Sequence, residues 1–395
     1  SRGLGDVYKR QVVDRHGTKC LKYDFAKERG RSDDMLPLWV ADMDFQTAPG
    51  IQKSLSDAVA HGIYGYSEGK DDYFQAAAGW YEKHFGWKVE KEWLIKTPGV
   101  VFALAMAVKA YTKEGDAVLL QQPVYYPFSE VITDNHRRLI NSPLQQIDGH
   151  YEINFEEFEQ KIVEENVKLF LMCSPHNPVG RVWKEWELRK IGDICLKHNV
   201  LVVSDEIHSD FTYGENIHHV FASLDEKYAA ITTTCTAPSK TFNIAGLQIS
   251  NIWISNPELR ARFRAEVTAA GYSQVNLMGL VACQAAYETG EEWLKELKTY
   301  LEGNLDYVRT FLKENLPEIK LTEPEGTYLL WLDFKSLGMK EEQLKDLVEN
   351  KAKLWLDSGA MFGPDGEGFE RINIACPREI LKQALTQLAE SVHDR

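Results

Sequence analysis

The chain has 395 residues, of which 44% are hydrophobic and 26% are charged. That composition is typical of a globular protein with a large core, and it excludes a mainly disordered or fibrous chain. The 45 lysines and arginines against 59 aspartates and glutamates give a formal net charge of -14, a sign that disfavours binding to nucleic acid or to anionic membranes. The longest uninterrupted apolar run, residues 100–108, is far shorter than the roughly 20 residues that span a bilayer.

Helical patterns alternate with short apolar segments from about Ser54 onward. These segments are apolar along their whole length, which is typical of strands in a parallel sheet that helices cover on both faces. We predict strands at residues 117–120, 168–173, 200–204 and 252–254, and helices at residues 101–111 and 186–198.

The pattern of polar and apolar residues changes after about Gln284. A charged helical pattern over residues 291–315 leads to a strand, a further helix, a second strand and a closing helix, which predicts a smaller α+β domain. We therefore expect four segments along the chain. They are a polar, glycine-rich segment not native to the protein (1–11), an N-terminal segment that packs with the small domain (12–53), a large domain (54–284) and the small domain (285–395).

The six cysteines are scattered along the chain without a Cys-x-x-Cys pair. This spacing favours a reducing cytoplasm, and it argues against a disulfide framework or a zinc site. We expect no metal in this protein, and the residues near 1–11 lack the apolar stretch of a signal peptide.

Unusual polar residues follow the predicted strands. In a parallel sheet the ligand lies at the carboxyl ends of the strands, so we expect these side chains to border a binding site. They are Gln121, His176, Asn177, Asp205 and His208.

Lys240 and Asp205 are the first two candidates for chemistry. Lys240 stands beside Ser239 in Ala-Pro-Ser-Lys-Thr, where it could form a Schiff base with an aldehyde cofactor. Taken alone, this feature favours the simpler alternative of a surface lysine in a loop. Asp205 ends a very apolar strand, and a carboxylate there is costly to bury unless it meets a cation. The protonated pyridine nitrogen of pyridoxal phosphate (PLP) is one such cation, and the alternative is a helix N-cap.

Asn177 and Gly99 complete the pattern. Asn177 could donate to a phenolic oxygen of the cofactor, although Asn-Pro is also ordinary turn chemistry. Gly99 opens a predicted helix, whose free N–H groups suit a phosphate. Each feature is weak alone, but the four together, each at the end of a strand or helix, are far more specific.

The order Gly99, Tyr125, Asn177, Asp205, Lys240, Arg371 resembles that of fold-type-I PLP-dependent enzymes in the aminotransferase class I/II group. The likeness extends from Val12 to the C-terminus. Within that group, residues 39–45 (WVADMDF), 205–208 (DEIH) and 237–246 resemble MalY/PatB-type cystathionine β-lyases, also called carbon–sulfur lyases. The resemblance implies the α/β PLP-dependent transferase fold, with a large domain of mostly parallel sheet between helices and a smaller α+β domain. It also implies a homodimer with active sites at the subunit interface.

The resemblance assigns a role to each site residue. Lys240 is the catalytic lysine that bonds the cofactor aldehyde, Asp205 pairs with the pyridinium and Asn177 donates to the ring oxygen. Tyr125 stacks on the ring, and Arg371 grips the substrate carboxylate with its planar fork. The phosphate is held by Gly99, Val100, Val101 and Ser239, and by Tyr66 of the neighbouring subunit, for which Tyr64 is a rival.

Two positions depart from the broader aminotransferase pattern. Many of those enzymes place an arginine eight residues after the lysine, where this chain has Gln248. Many also place a tyrosine three residues after the pyridinium aspartate, where this chain has His208. Both changes weaken the transaminase interpretation and leave open what neutralises the phosphate and whether His208 contacts the cofactor or is structural.

The favoured interpretation is a β-elimination that splits L-cystathionine or a related cysteine S-conjugate into a thiol, pyruvate and ammonia. Tyr125 is a candidate to assist proton transfer to the leaving sulfur. An aminotransferase is the alternative, because Lys240 can move the protons of either reaction. A third hypothesis, from another class, is a regulatory role through binding of a transcription factor, since some members of the lyase subgroup act in that way.

Overall fold

The computed structural model describes residues 9–395. Most of the segment expected to be non-native therefore lies outside the described residues, and its origin stays a prediction. Of its last residues, Lys9 is buried and donates from Nζ to the carbonyl of Trp293 at 3.3 Å. Within residues 9–395, none of the helices is both long and apolar enough to cross a membrane.

The described residues form β-strands and α-helices of varied length. The strands are β1 (Leu36–Pro37), β2 (Leu94–Thr97), β3 (Ala117–Leu120), β4 (Arg138–Asn141), β5 (Gln145–Ile147), β6 (His150–Glu152), β7 (Val167–Cys173), β8 (Leu201–Asp205), β9 (Thr232–Thr236), β10 (Ser250–Trp253), β11 (Lys320–Leu321), β12 (Leu329–Asp333), β13 (Leu354–Trp355), β14 (Asp357–Ser358) and β15 (Phe369–Asn373). The α-helices are α1 (Leu21–Asp24), α2 (Pro49–His61), α3 (Asp71–Phe85), α4 (Val100–Tyr111), α5 (Pro127–Thr133), α6 (Phe155–Glu164), α7 (Glu185–Lys197), α8 (Glu226–Ala229), α9 (Pro257–Ala269), α10 (Leu277–Thr289), α11 (Glu291–Asn315), α12 (Glu341–Lys345) and α13 (Arg378–His393).

A seven-stranded sheet in the order β2-β10-β9-β8-β7-β3-β4 forms the centre of the large domain. Five adjacent strands run parallel to one another: β9, β8, β7, β3 and β4. Strand β10 is antiparallel to both of its neighbours. The predicted α/β fold with a mostly parallel sheet is confirmed. The apolar run at 252–254, expected among the parallel strands, belongs instead to the antiparallel β10. It follows β9 through a loop with only a short turn, Ala245–Leu247, and not through the helix that usually joins parallel strands.

The large sheet is covered on both faces because its central strands carry apolar side chains in both directions. In β7, Leu169 and Leu171 face one core and Phe170 and Met172 face the other. The first core is closed by α4 and α9, and the second by α6 and α7. The carboxyl ends of β7 and β8 therefore lie together at one edge of the sheet, between the helices that pack against its two faces.

A smaller antiparallel sheet, β11-β12-β15-β14, packs its apolar face against α11 and α13. β1 pairs in parallel with β13, which places the N-terminal segment beside this sheet. The expected boundaries after residues 53 and 284 fall inside α2 and α10, which pack against each other. A change in composition does not have to coincide with a helix end, and the division into segments stays a prediction.

Residues 39–45 lie between the two sheets and belong to no strand. Asn373, in β15, donates from Nδ2 to the carbonyls of Val40 at 2.8 Å and Asp42 at 2.6 Å. Asn243 donates in the same way to the carbonyls of Met43 and Phe45, both at 2.8 Å. Because buried carbonyls need donors, these two asparagines fix the path of the segment.

We predict that Asn373→Ala lowers the free energy of unfolding by about 2–4 kcal/mol, because it removes three buried hydrogen bonds worth about 1 kcal/mol each and leaves carbonyls unpaired. The third bond is the one that its Oδ1 accepts from the Ala375 N–H at 2.8 Å. Denaturant unfolding of the two proteins measures the difference. Asn315→Ala is the control, because Asn315 is exposed and its side chain donates to the carbonyl of Phe311 in its own helix. An equal, small effect of both substitutions would contradict the prediction.

Candidate active site

A cavity of about 420 Å³ lies at the carboxyl ends of β7 and β8 and at the start of α4. Most of the predicted site residues line this cavity, although they are scattered over more than 140 positions of the chain. The predicted residues that line it are Gly99, Val100, Val101, Tyr125, Asn177, Asp205, His208, Ser239 and Lys240. Four predicted residues, Gln121, His176, Arg371 and Tyr66, are not part of its wall.

Asp205 ends β8 inside this cavity and is 5% exposed. Burial raises the pKa of its carboxyl to about 7, and the N–H of Ile207, 3.2 Å from Oδ1, and the charge of Lys240 only partly oppose that shift. A buried carboxyl in this state is stabilised by a cation placed against it. The carboxyl therefore suits a protonated ring nitrogen better than a neutral group.

Lys240 follows β9, and its Nζ donates to the carbonyl of Ala41 at 2.7 Å. Burial lowers the pKa of Lys240 to about 8, Asp42 and Asp205 act in the opposite direction, and Arg371 adds to the lowering. The neutral amine, which is the nucleophilic form, is therefore accessible close to neutral pH. This is the property that a covalent attachment to an aldehyde requires.

Asp42 is a charged neighbour of Lys240 that the sequence analysis did not single out. Arg15 binds both of its carboxylate oxygens at 2.8 Å, and Lys22 lies 3.6 Å away. Although burial alone would raise the pKa of Asp42, the hydrogen bonds of Arg15 and the charge of Lys22 hold it below its usual range. Asp42 thus keeps a negative charge beside the lysine.

Asn177 links the cavity to Arg371. Nη1 of Arg371 donates to Asn177 Oδ1 at 3.1 Å, and Nη2 donates to the carbonyl of Trp39 at 2.7 Å. Since the amide oxygen of Asn177 is occupied, its N–H groups remain to donate to a ligand. The N–H of Tyr125 donates to the Asn177 carbonyl at 3.0 Å, and burial raises the pKa of Tyr125 above its usual value. Tyr125 therefore keeps its proton.

The phosphate end of the cavity has an uncapped helix terminus. Gly99 is the N-cap residue of α4, and it makes no side-chain capping bond. A Cβ built on Gly99 would meet nothing within 4 Å, so the space in front of this terminus is open. Free N–H groups at a helix start bind phosphate well, and Val100, Val101 and Ser239 border the same space.

The two departures from the aminotransferase pattern both line the cavity. Gln248 ends the short turn that follows Lys240, with φ of 50°, and it brings no charge. His208 is buried, and its Nδ1 has no hydrogen-bond partner among the described residues. Burial lowers the pKa of His208 to about 3, so the ring is neutral. Compared with the aminotransferase pattern, Gln248 thus lacks the charge of an arginine, and His208 lacks the acidic hydroxyl of a tyrosine.

Tyr66 does not reach the cavity of its own chain. It is 96% exposed, and Tyr64, which is 60% exposed, donates from its hydroxyl to the carbonyl of Val59 at 3.2 Å. Both tyrosines border a neighbouring surface cavity that shares Pro98 and Gln248 with the first one. The role of either tyrosine in a second subunit stays a prediction.

Comparison with known proteins identifies the family. The aminotransferase class I and II family matches residues 34–388. The chain belongs to this family. It is 43% identical over 375 residues to cystathionine beta-lyase PatB of Bacillus subtilis, covering 95% of this chain and 97% of that protein. It is 33% identical over 385 residues to protein MalY of Escherichia coli, covering 97% and 98%. The predicted family resemblance is confirmed.

A solved structure gives the same result. Cystalysin from Treponema denticola, whose crystal structure contains pyridoxal 5'-phosphate, superposes with a TM-score of 0.94 at 38% identity, covering 98% of each chain. The predicted fold, the PLP-dependent transferase fold, is therefore confirmed as well.

We predict that the rate of covalent PLP uptake by the cofactor-free protein rises with pH through about 8, because only unprotonated Lys240 attacks the aldehyde. Asp42→Asn is expected to move this midpoint to lower pH, since the charge of Asp42 favours the ammonium form. The absorbance change on mixing at a series of pH values measures the rate.

Asp44→Asn is the matched control for this shift. Asp44 binds the same Arg15 at 2.9 Å and Lys22 at 3.2 Å, but it is not among the groups that shift the pKa of Lys240. Equal displacement of the midpoint by both substitutions would contradict a direct effect of Asp42.

Proposed function

We propose that this protein is a PLP-dependent carbon–sulfur β-lyase that cleaves L-cystathionine or related cysteine S-conjugates to a thiol, pyruvate and ammonia. The observation that carries the proposal is one cavity that holds Lys240 and Asp205, with Asn177 joining it to Arg371. The names of PatB, a cystathionine beta-lyase, and cystalysin, which contains PLP, support the reaction and the cofactor.

The residues of the cavity fit PLP. The buried carboxyl of Asp205, which a nearby cation would stabilise, would face the ring nitrogen. The free amide N–H groups of Asn177 would face the ring oxygen. The open terminus of α4 would take the phosphate. When bound, PLP supplies an electron sink for the negative charge that develops at Cα of an amino acid.

Lys240 is placed to move the proton at Cα. With a pKa near 8 it exchanges between amine and ammonium at physiological pH, which suits a general base that must later return a proton. The carbonyl of Ala41 accepts a hydrogen bond from Nζ of Lys240 at 2.7 Å and so orients the amine. Tyr125, which keeps its proton, is the candidate donor to the departing sulfur.

Arg371 is the proposed anchor for the substrate carboxylate. Its side chain is 1% exposed and is fixed by Asn177 and by the carbonyl of Trp39. An anchored carboxylate leaves Cα and Cβ to be directed by the cavity wall, so that the breaking C–S bond can be oriented.

We predict that PLP-loaded protein given L-cystathionine without a keto acid releases pyruvate, ammonia and thiol in equal amounts over many turnovers. Elimination regenerates the cofactor in each cycle, whereas an aminotransferase would stop after one turnover and resume when a keto acid is supplied. Product assays over time measure this, and the stalled pattern would overturn the lyase assignment.

Lys240→Ala is expected to lower the rate at least about a thousandfold, since it removes both the covalent attachment and the general base. Lys298→Ala is the matched control, because Lys298 borders a different cavity. Substantial turnover by the Lys240 variant would contradict the role of this residue.

We also propose that the protein acts as a homodimer in which Tyr66 reaches the phosphate bound by the partner chain. In support, exposed apolar side chains lie close to Tyr66 in the sequence; they include Val59, Ile63 and Tyr64. Apart from Lys240, no cationic side chain lines the cavity in the described residues. A phosphate there therefore gains from donors that a second chain brings.

A mixing experiment tests this arrangement. Lys240→Ala and Tyr66→Ala chains are denatured together, refolded and assayed. If Tyr66 acts across the interface, half of the dimers contain one intact site, and activity returns to about a quarter of the wild type. If Tyr66 acts within its own chain, mixing restores nothing, and the proposal fails.

A cytoplasmic location is part of the proposal, because all six cysteines are free and free thiols persist in reducing compartments. The regulatory role stays a prediction, since no described surface favours a particular protein partner.

A further inference from the structure

Arg371 is held by more than the two groups already described. Its Nη2 donates both to the carbonyl of Trp39 at 2.7 Å and to Asp357 Oδ2 at 2.8 Å. The Cζ atom of its guanidinium lies over the ring of Phe362, 5.1 Å from the ring centre. Counting the bond from Nη1 to Asn177, three of the five N–H groups of an arginine are occupied. One N–H of Nη1 remains, together with the buried N–H of Nε, which has no partner among the described residues.

Asp357 is the one carboxylate that pairs with this guanidinium within the described residues. It lies in β14 directly opposite Arg371 of β15, and it is 2% exposed. Its charge therefore acts on Arg371 with little screening by water. The position is set by strand register, so the carboxylate cannot follow the arginine if the side chain turns away.

We propose that Asp357 is a positioning residue that holds Arg371 in the orientation that binds the α-carboxylate of amino-acid substrates. The inference rests on the proposed function. An arginine that recognises a carboxylate must hold its donor groups in a fixed direction, and a long side chain with free rotamers loses that direction. Asp357 holds the guanidinium through Nη2 while Asn177 holds it through Nη1, and Asp357 offsets the charge that Arg371 would otherwise bury alone.

The neighbouring acid provides a matched control. Glu370 is adjacent to Arg371 in β15 and is 3% exposed. Successive side chains of a strand point to opposite faces, and Glu370 makes no ion pair with Arg371 among the described residues. Glu370→Gln therefore removes a buried carboxyl beside Arg371 without removing its partner.

The experiment compares two ligands that differ only in the carboxylate. L-Alanine and ethylamine are each titrated into PLP-loaded wild type, Asp357→Ala, Asp357→Asn, Glu370→Gln and Arg371→Ala, with the cofactor absorbance as the measure of binding. We expect Asp357→Ala to weaken L-alanine by at least roughly tenfold and to leave ethylamine within about twofold. Asp357→Asn, which keeps an oxygen acceptor, is expected to recover part of the loss, and Glu370→Gln should match the wild type.

Each other outcome has a defined meaning. Equal weakening of both ligands would show a general structural role, and unchanged or tighter binding of L-alanine would show that Asp357 does not position Arg371; either result overturns the inference. If Asp357→Ala does not fold, as judged by the thermal unfolding of the cofactor-free protein, Asp357→Asn carries the test with the same two ligands. Wild type that gives no response to L-alanine, or Arg371→Ala that binds it normally, would instead overturn the proposed function.

Discussion

The architecture of the site depends on one requirement, the pairing of buried backbone carbonyls in residues 39–45. This segment lies inside the protein without a strand partner along most of its length, so side chains must supply its donors. Two of these side chains are Lys240 and Arg371, which donate to the carbonyls of Ala41 and Trp39. The proposed catalytic lysine and the proposed substrate anchor are thus positioned by the same short segment. A displacement of that segment would therefore move both side chains together.

The electrostatics of the site follow from burial, with charged neighbours deciding the individual outcomes. The same dry surroundings raise the pKa of Asp205 to about 7 and lower that of Lys240 to about 8. Lys240 is therefore poised close to physiological pH, which is what an acid–base cycle needs, whereas the carboxyl of Asp205 is left to be stabilised by a cation placed against it. Asp42 lies nearby but stays charged, because Arg15 and Lys22 compensate its burial.

Much of this arrangement could be predicted from the sequence, and the parts that could not have physical reasons. Continuous apolar runs predicted β7 and β8, and three of the polar residues at their ends, Asn177, Asp205 and His208, line the cavity, whereas His176 does not. Strand direction is not encoded in an apolar run, so the antiparallel β10 was missed. The pairing of Arg371 with Asp357 depends on register between β14 and β15, which neither strand specifies alone. The proposed role of the exposed Tyr66 involves a second chain, about which a single sequence gives no information.

The absence of an arginine at Gln248 changes how the cofactor must be held. Lys240 is the one cation among the described residues that line the cavity, and its proposed role is at the aldehyde of the cofactor. The phosphate would then rely on the dipole and N–H groups at the start of α4 and, in the proposed homodimer, on donors from the partner chain. Because a group that is bound by two chains together stabilises their association by mass action, the proposed homodimer would couple cofactor affinity to dimer assembly. An arginine from within the same chain would weaken that coupling, because the phosphate would depend less on the partner chain.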